Sequence, residues 1–205
     1  MELYYSPFAC SLASHITLRE AGLDAGLVPV TLSSKKTADG RDFFTVNPKG
    51  QVPALRLDDG AILTENTAVI QYLADLEPAA GLLPPVGSPD RYRVLEWMSF
   101  VSTEVHKACF AVMFNPESPP EAKAWARATL PKKLEHAAGE LGDREFLVGG
   151  RFTVADAYLT WALNLATLAK FDLPPALHRY LDRMKARPAV RTAMEAEAAA
   201  MAQAG

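Results

Sequence analysis

Six proline and glycine residues, Pro78, Gly81, Pro84, Pro85, Gly87 and Pro89, fall within twelve positions of this chain. Proline lacks an amide proton and fixes φ, and no regular element tolerates that density. The cluster cuts the chain into two segments of different pattern. Residues 1–78 mix short apolar runs with amphipathic stretches, residues 79–89 read as a linker, and residues 90–205 read as helix throughout. A chain of 205 residues has length for two modest domains.

Within the first segment, Glu2 to Tyr5 reads as a strand, Ser6 to Ala9 as a turn and Ser11 to Ala21 as a helix. Leu27 to Leu32 reads as a second strand, where Pro29 argues for a sheet edge or a bulge. Thr37 to Val46 is expected to be a weaker helix, and Asn47-Pro48-Lys49-Gly50 a turn. Val52 to Leu57 and Ala61 to Thr64 are strands joined by Asp58-Asp59-Gly60, a hairpin signal. Glu65 to Glu77 carries Ala68, Val69, Tyr72, Leu73 and Leu76 on one helical face. The expected order is βαβαββα, with parallel pairing through helical crossovers followed by an antiparallel hairpin.

The second segment opens with a long helix, about Asp90 to Asn115. Val94, Trp97, Met98, Val101, Val105, Ala108, Cys109 and Val112 recur at helical spacing and form its expected core stripe. Ser99, Thr103, His106 and Phe110 form a second stripe on nearly the opposite side. Pro119-Pro120 begins another helix reaching about Leu141. Thr153-Val154-Ala155-Asp156 has capping-box spacing and opens an apolar helix, Ala157 to Ala169, expected at the bundle centre. Pro174-Pro175 and Pro188 punctuate two final helices, and Ala196 to Gly205 reads as a frayed end.

Charge and composition narrow the function classes. Net charge is −3 and no run of five basic residues occurs, which argues against a nucleic-acid or polyanion partner. No apolar stretch reaches 18 residues, so no membrane-spanning helix is expected. The N-terminus has no secretion-signal pattern. The two cysteines, Cys10 and Cys109, form no CxxC and suit a reducing cytoplasm. No His/Cys/Asp cluster has metal-ligand spacing, so no metal is expected. Gly149-Gly150 does not follow a strand and is not a phosphate loop.

Three places carry chemistry. Cys10 sits where the first strand hands over to a helix, where backbone N–H groups and the helix dipole favour a thiolate, its own or a ligand's. A small buried thiol is the other reading of the same position. Val52-Pro53 precedes a strand; a cis bond there would turn the Val52 backbone outward to pair with a peptide ligand, whereas a trans proline would simply start the strand. Thr64-Glu65-Asn66 enters a helix, whose amides suit a carboxylate while Glu65 suits an ammonium; ordinary capping by Thr64 also fits. Lys35 could hold another carboxylate. On the long helix His106, beside Lys107 and in line with Ser99 and Thr103, marks a polar face that could line a cleft. His15, His136 and His178 have no such company and read as structural or surface residues.

Together these features resemble the cytosolic glutathione S-transferases. Leu3-Tyr4-Tyr5, Ala9-Cys10-Ser11-Leu12, Lys35 to Gly40, Asn47 to Leu55 and His106-Lys107 are similar to the bacterial beta class, and the likeness covers nearly the whole chain. It implies an α/β thioredoxin-like, glutathione-binding domain over 1–78 and an all-α helical-bundle domain over 90–205 supplying the electrophile site. Glutathione would be a co-substrate, with no tightly bound cofactor. Val52, beside Pro53, would pair with the cysteinyl part, Glu65 and Asn66 would hold the γ-glutamyl head, and Lys35 the glycine carboxylate. Cys10 would lie at the glutathione sulfur with Ser11 and His106 as further catalytic groups. Ser99, Thr103 and Lys107 would approach from the helical domain, and Glu104 would reach the site of a neighbouring subunit in a homodimer. Phe8, Phe110, Met113, Phe114 and Trp161 are candidates for the apolar half-site, with Val112 beside them. Two positions depart from the class: Asn66 where serine is commoner, and Ser99 where asparagine is frequent.

The reaction implied is conjugation of the glutathione thiol to electrophilic, largely apolar small molecules. Two rivals remain open from sequence: a glutathione-dependent thiol–disulfide exchange through a mixed disulfide at Cys10, and a non-catalytic ligand binder on the same fold.

Overall fold

The computed structural model describes residues 1–203. The chain divides into two compact units, one of Met1–Leu83 with residues 185 onward, the other Pro84–Met184. The first is an α/β thioredoxin-like layer and the second is all helix, which is the fold class read from the sequence.

The first unit holds β1 (Glu2–Tyr5), α1 (Ser11–Glu20), β2 (Gly26–Thr31), β3 (Lys36–Thr37), β4 (Ala54–Arg56), β5 (Ile62–Thr64) and α2 (Asn66–Leu76). The sheet order is β3-β2-β1-β4-β5. β1 and β2 are parallel across α1, whereas β4 runs antiparallel to β1 and to β5. Alternate β1 side chains point to opposite faces. Leu3 and Tyr5 join Leu18, Leu55, Val69 and Leu73 under the helices, while Tyr4 packs with Val30, Phe43, Val46, Val52 and Ala54 on the other face.

Two local expectations are corrected. Residues 37–46 do not form a helix: Lys36–Thr37 add an antiparallel strand to β2, and Phe43–Thr45 make one 3-10 turn. Gly40 turns the chain at φ 84, and the Asp42 side chain accepts from the Phe44 amide, so local polar contacts stop a helix from starting before Phe43. β2 is therefore not an edge. Pro29 is tolerated because β3 pairs only with Val30 and Thr31, and Ala38 N–H donates to the Pro29 carbonyl (2.9 Å).

The second unit begins with α3 (Pro89–Phe100), passes without a break into a π-helical segment (Val101–Ala111), and ends in a short turn, α4 (Val112–Phe114). α5 (Pro120–Leu141), α6 (Val154–Leu168) and most of α7 (Pro175–Ala186) complete it. The π segment shifts the helical phase, because bonds run i to i+5 rather than i to i+4. Val101, Val105, Cys109 and Phe110 are buried there; Ala108 and Val112, expected in the core stripe, are half-buried, and Phe110 has moved from the polar stripe into the core. α6 is buried nearly all round, as its apolar pattern required, and Asp156 reaches back to the Thr153 amide (2.8 Å).

The last helix, α8 (Pro188–Gln203), packs on α1 in the first unit, although the sequence reading grouped it with the helical half. Ala200 touches the β1–α2 core cluster, and Arg187, just before α8, holds the Glu20 carboxylate with two nitrogens (2.7 and 2.9 Å). The end read as frayed is helical to Gln203; Ala204 and Gly205 lie outside the described residues.

Candidate functional site

Cys10 occupies the N-cap position of α1 and is half-buried. Its Sγ donates to the Val52 carbonyl at 3.3 Å, and the Val52–Pro53 bond is cis. Residues 42 positions apart are thus brought together by the β1–β4 pairing, which sets the end of β1 beside the start of β4. The helix-end amides are not all available, because Leu12 N–H already bonds the Ala9 carbonyl (2.9 Å) and Ala13 N–H the Cys10 carbonyl (3.1 Å). Ser11, expected among the catalytic groups, is fully buried. Its Oγ accepts from the Ser6 amide (3.1 Å) and donates to the Ser6 carbonyl (3.2 Å), so it braces the loop instead of facing solvent.

The entrance to α2 holds the second group. Glu65 adopts φ 70 and does not cap the helix through its side chain, and Thr64 does not cap it either. Lys49, unremarked in the sequence except as part of a turn, bridges both: Nζ bonds Thr64 Oγ1 (2.8 Å) and Glu65 Oε1 (2.6 Å). Both ends of that ion pair are more than half exposed, so it contributes at most about 1 kcal/mol and a ligand ammonium could replace it cheaply. Asn66 is turned inward. Its Oδ1 accepts from Ser14 (2.7 Å), while Nδ2 is sealed from solvent without a hydrogen-bond partner. Lys35, at φ 55, donates to the Gly50 carbonyl (2.8 Å), which ties it to the turn preceding Val52.

In the helical unit, His106 Nδ1 lies 2.9 Å from the Tyr158 hydroxyl and its ring meets Trp161 edge-on at 4.7 Å. Burial, with a smaller push from Lys107, lowers its pKa to about 4, so the imidazole is neutral near pH 7. Phe110 and Trp161, expected in the apolar half-site, are 1% and 2% exposed and belong to the core. Phe114 stacks on Phe110 and is half exposed, and Met113 and Phe8 are half-buried. Ser99 and Thr103 are exposed, and their hydroxyls bond the carbonyls four residues back (2.8 and 3.0 Å). Lys107 is exposed, and Glu104 pairs with Lys133 of α5 (2.5 Å).

The profile of the glutathione S-transferase N-terminal domain matches residues 5–76, and that of the C-terminal domain residues 101–188. The chain belongs to the glutathione S-transferase family. Glutathione S-transferase GstA of Escherichia coli O157:H7 is 50% identical over 199 residues, covering 96% of this chain and 98% of that one. A sphingomonad glutathione S-transferase solved in complex with glutathione superposes with a TM-score of 0.91 at 47% identity, covering 97% and 99%. The beta-class transferase of Sphingomonas chungbukensis gives 0.91 at 44% identity, covering 96% and 98%. This transferase is therefore a bacterial beta-class member, and glutathione is its co-substrate.

Sequence reasoning missed Lys49, Ser14, Tyr158 and Glu197. Glu197 falls on the buried stripe Val190, Ala193, Glu197 of α8, and a carboxylate on an apolar stripe is the signal that could have exposed it.

Proposed function

We infer that the protein conjugates the glutathione thiol to electrophilic, largely apolar small molecules, with glutathione docked along Val52 and its sulfur beside Cys10. The observation that carries this reading is the Cys10 Sγ on the Val52 carbonyl, in a family whose members are named for the reaction. Glu65 would take the γ-glutamyl ammonium from Lys49, and the Asn66 end of α2 the adjoining carboxylate. Lys35 would take the glycine carboxylate. Phe114, Met113 and His106 give the helical unit an apolar surface with one neutral imidazole, suited to an uncharged electrophile. A free thiol of pKa ~8.5 is roughly 3% ionised at pH 7. Lowering that value by two units needs about 2.7 kcal/mol and yields roughly 25 times more thiolate.

A second reading has an observation of its own. Cys10 is only half-buried, at the N-cap of α1, so glutathione-dependent disulfide exchange through a mixed disulfide at its sulfur is chemically open. Conjugation of a chlorinated nitroaromatic and reduction of a mixed disulfide separate the two in Cys10→Ala. Conjugation that persists while reduction vanishes assigns Cys10 to exchange; loss of both assigns it to the transfer site. Retention on immobilised glutathione with neither activity in the wild type would overturn transfer in favour of a binder.

We further propose a cytoplasmic homodimer. Two cysteines without CxxC spacing suit a reducing compartment. The family resemblance and an aromatic groove of about 630 Å³ lined by Phe100, Trp125 and His136, with Glu104 and Lys133 at its side, support pairing of two copies. Sedimentation at micromolar concentration checks this, a monomer refuting it.

A further inference from the structure

Phe8 lies two residues before Cys10 in the left-handed region, φ 58, a conformation rare for a bulky aromatic residue. Something outside the loop must hold it there. Its amide donates to Glu197 Oε2 at 2.6 Å, across 189 positions of sequence. Glu197 is fully buried, and its other oxygen lies 3.1 Å from His15 Nδ1. Arg19 Nε donates to His15 Nε2 (3.4 Å), so the Nδ1 proton points at Glu197 and the carboxylate has donors on both sides. Ser6 and Ala9 are braced within the segment, Ser6 by Ser11 and the Ala9 amide by the Ser6 carbonyl (3.0 Å), while the Cys10 thiol itself reaches the Val52 carbonyl (3.3 Å). Glu197 holds the backbone of the loop from another part of the chain, on a helix anchored to α1 by the Arg187–Glu20 pair.

We propose that Glu197 is a positioning residue for Cys10: by holding the Phe8 amide from the C-terminal helix, its carboxylate sets where the loop of residues 6–10 delivers the thiol. This goes beyond the transferase reading and borrows from it only that Cys10 is the working thiol. A buried His–Glu pair that merely stabilises the fold is the competing account. The two accounts differ over which arm of the carboxylate matters. Positioning runs through Phe8, whereas stability draws on His15 equally.

The test reads Cys10 itself, without glutathione, so that its failure is distinct from failure of the transferase reading. The rate of Cys10 alkylation by iodoacetamide is followed across pH, with the adduct located by mass spectrometry and Tm recorded for each variant. Glu197→Ala removes both arms. Glu197→Gln keeps an acceptor for Phe8 and can donate to His15 once the imidazole changes tautomer, which gives up the long Arg19–Nε2 contact. His15→Ala removes the other arm alone. We expect Glu197→Ala to change the rate fivefold or more and to move its pH midpoint, with Glu197→Gln and His15→Ala within twofold of wild type. Should Glu197→Ala not fold, Glu197→Asp, which draws the charge back by one methylene, carries the same expectation. Alkylation unchanged in that variant, or rates that follow Tm across the set regardless of the Phe8 contact, would overturn the proposal.

Discussion

His106 shows how a single burial decides a protonation state. Folded, its imidazole is held neutral with a pKa of about 4, against 6.5 when free, because the ring is enclosed and Lys107 adds like charge. Between those values the unfolded chain binds the proton and the folded chain does not. Stability therefore rises with pH through this window and is lost as pH falls, by up to about 3 kcal/mol once both states are protonated. Urea midpoints from pH 7 to pH 4 should show that slope, and His106→Gln should flatten it; an equal slope in the variant would assign the acid loss elsewhere. Gly50 makes a different residue-scale argument. It sits at φ 61, and a Cβ there would come within 2.6 Å of the Phe44 ring. Its carbonyl also anchors Lys35. Gly50→Ala should lower stability by about 1–2 kcal/mol from the left-handed conformation. It should also raise KM for glutathione more than it lowers kcat, since the shift falls on the proposed carboxylate site. An unchanged KM would detach Lys35 from glutathione.

At the scale of elements, α6 depends on a carboxylate that its own sequence announces only in part. Asp156 accepts from Leu147 N (3.0 Å), Thr153 N and Oγ1 (2.8 Å each) and Tyr180 Oη (2.7 Å), and these hydrogen bonds oppose a burial that pushes its carboxyl up. Asp156→Ala would strand several buried donors at about 1–3 kcal/mol each. We expect at least about 3 kcal/mol lost in urea unfolding, and a loss below about 1 kcal/mol would show that the network relaxes freely. Thr153-x-x-Asp156 was legible because a capping box is a local pattern; Tyr180 was not, because it reaches the carboxylate from 24 residues away. The same division runs through the chain. Strands β1, β4 and β5 and helices α1 and α2 follow from period and turn chemistry. The failure at Thr37 to Val46 arose where Thr37, Asp39 and Asp42 satisfy backbone groups locally and a two-residue strand joins a neighbour by pairing that no local signal encodes. The long helix was found at nearly its true length, but the change to i, i+5 bonding at Val101 carries no composition signal, and so Phe110 was assigned to the wrong face. In the candidate site, the places of Cys10, Val52 and Glu65 at the ends of their elements were legible. Ser11 and Asn66 open their helices as the pattern implied, yet which way a short polar side chain turns is decided by tertiary partners, here Ser6 and Ser14.

At the scale of the whole molecule, the first unit is discontinuous in sequence. The proline-rich stretch near Pro84 ends its first stretch of chain, but α8 returns after the helical unit to complete it, contributing Val190, Ala193 and Glu197 to buried positions and Ala200 to the β1–α2 cluster. A chain ending at Arg187 keeps the Glu20 ion pair yet loses all four. It would take the Glu197 carboxylate from both His15 and the Phe8 amide. Buried polar groups stripped of partners destabilise the unit that contains them, and the helical unit Pro84–Met184 keeps its own internal contacts. Limited trypsin digestion read by mass spectrometry should therefore find new early cuts at Arg19, Lys35, Lys36, Arg41, Lys49 or Arg56, with the rate of cutting inside residues 84–184 little changed. New cuts confined to the helical unit would mean that α8 is dispensable to the sheet layer, and a digestion pattern identical to the full chain would mean that the sheet layer is held without it.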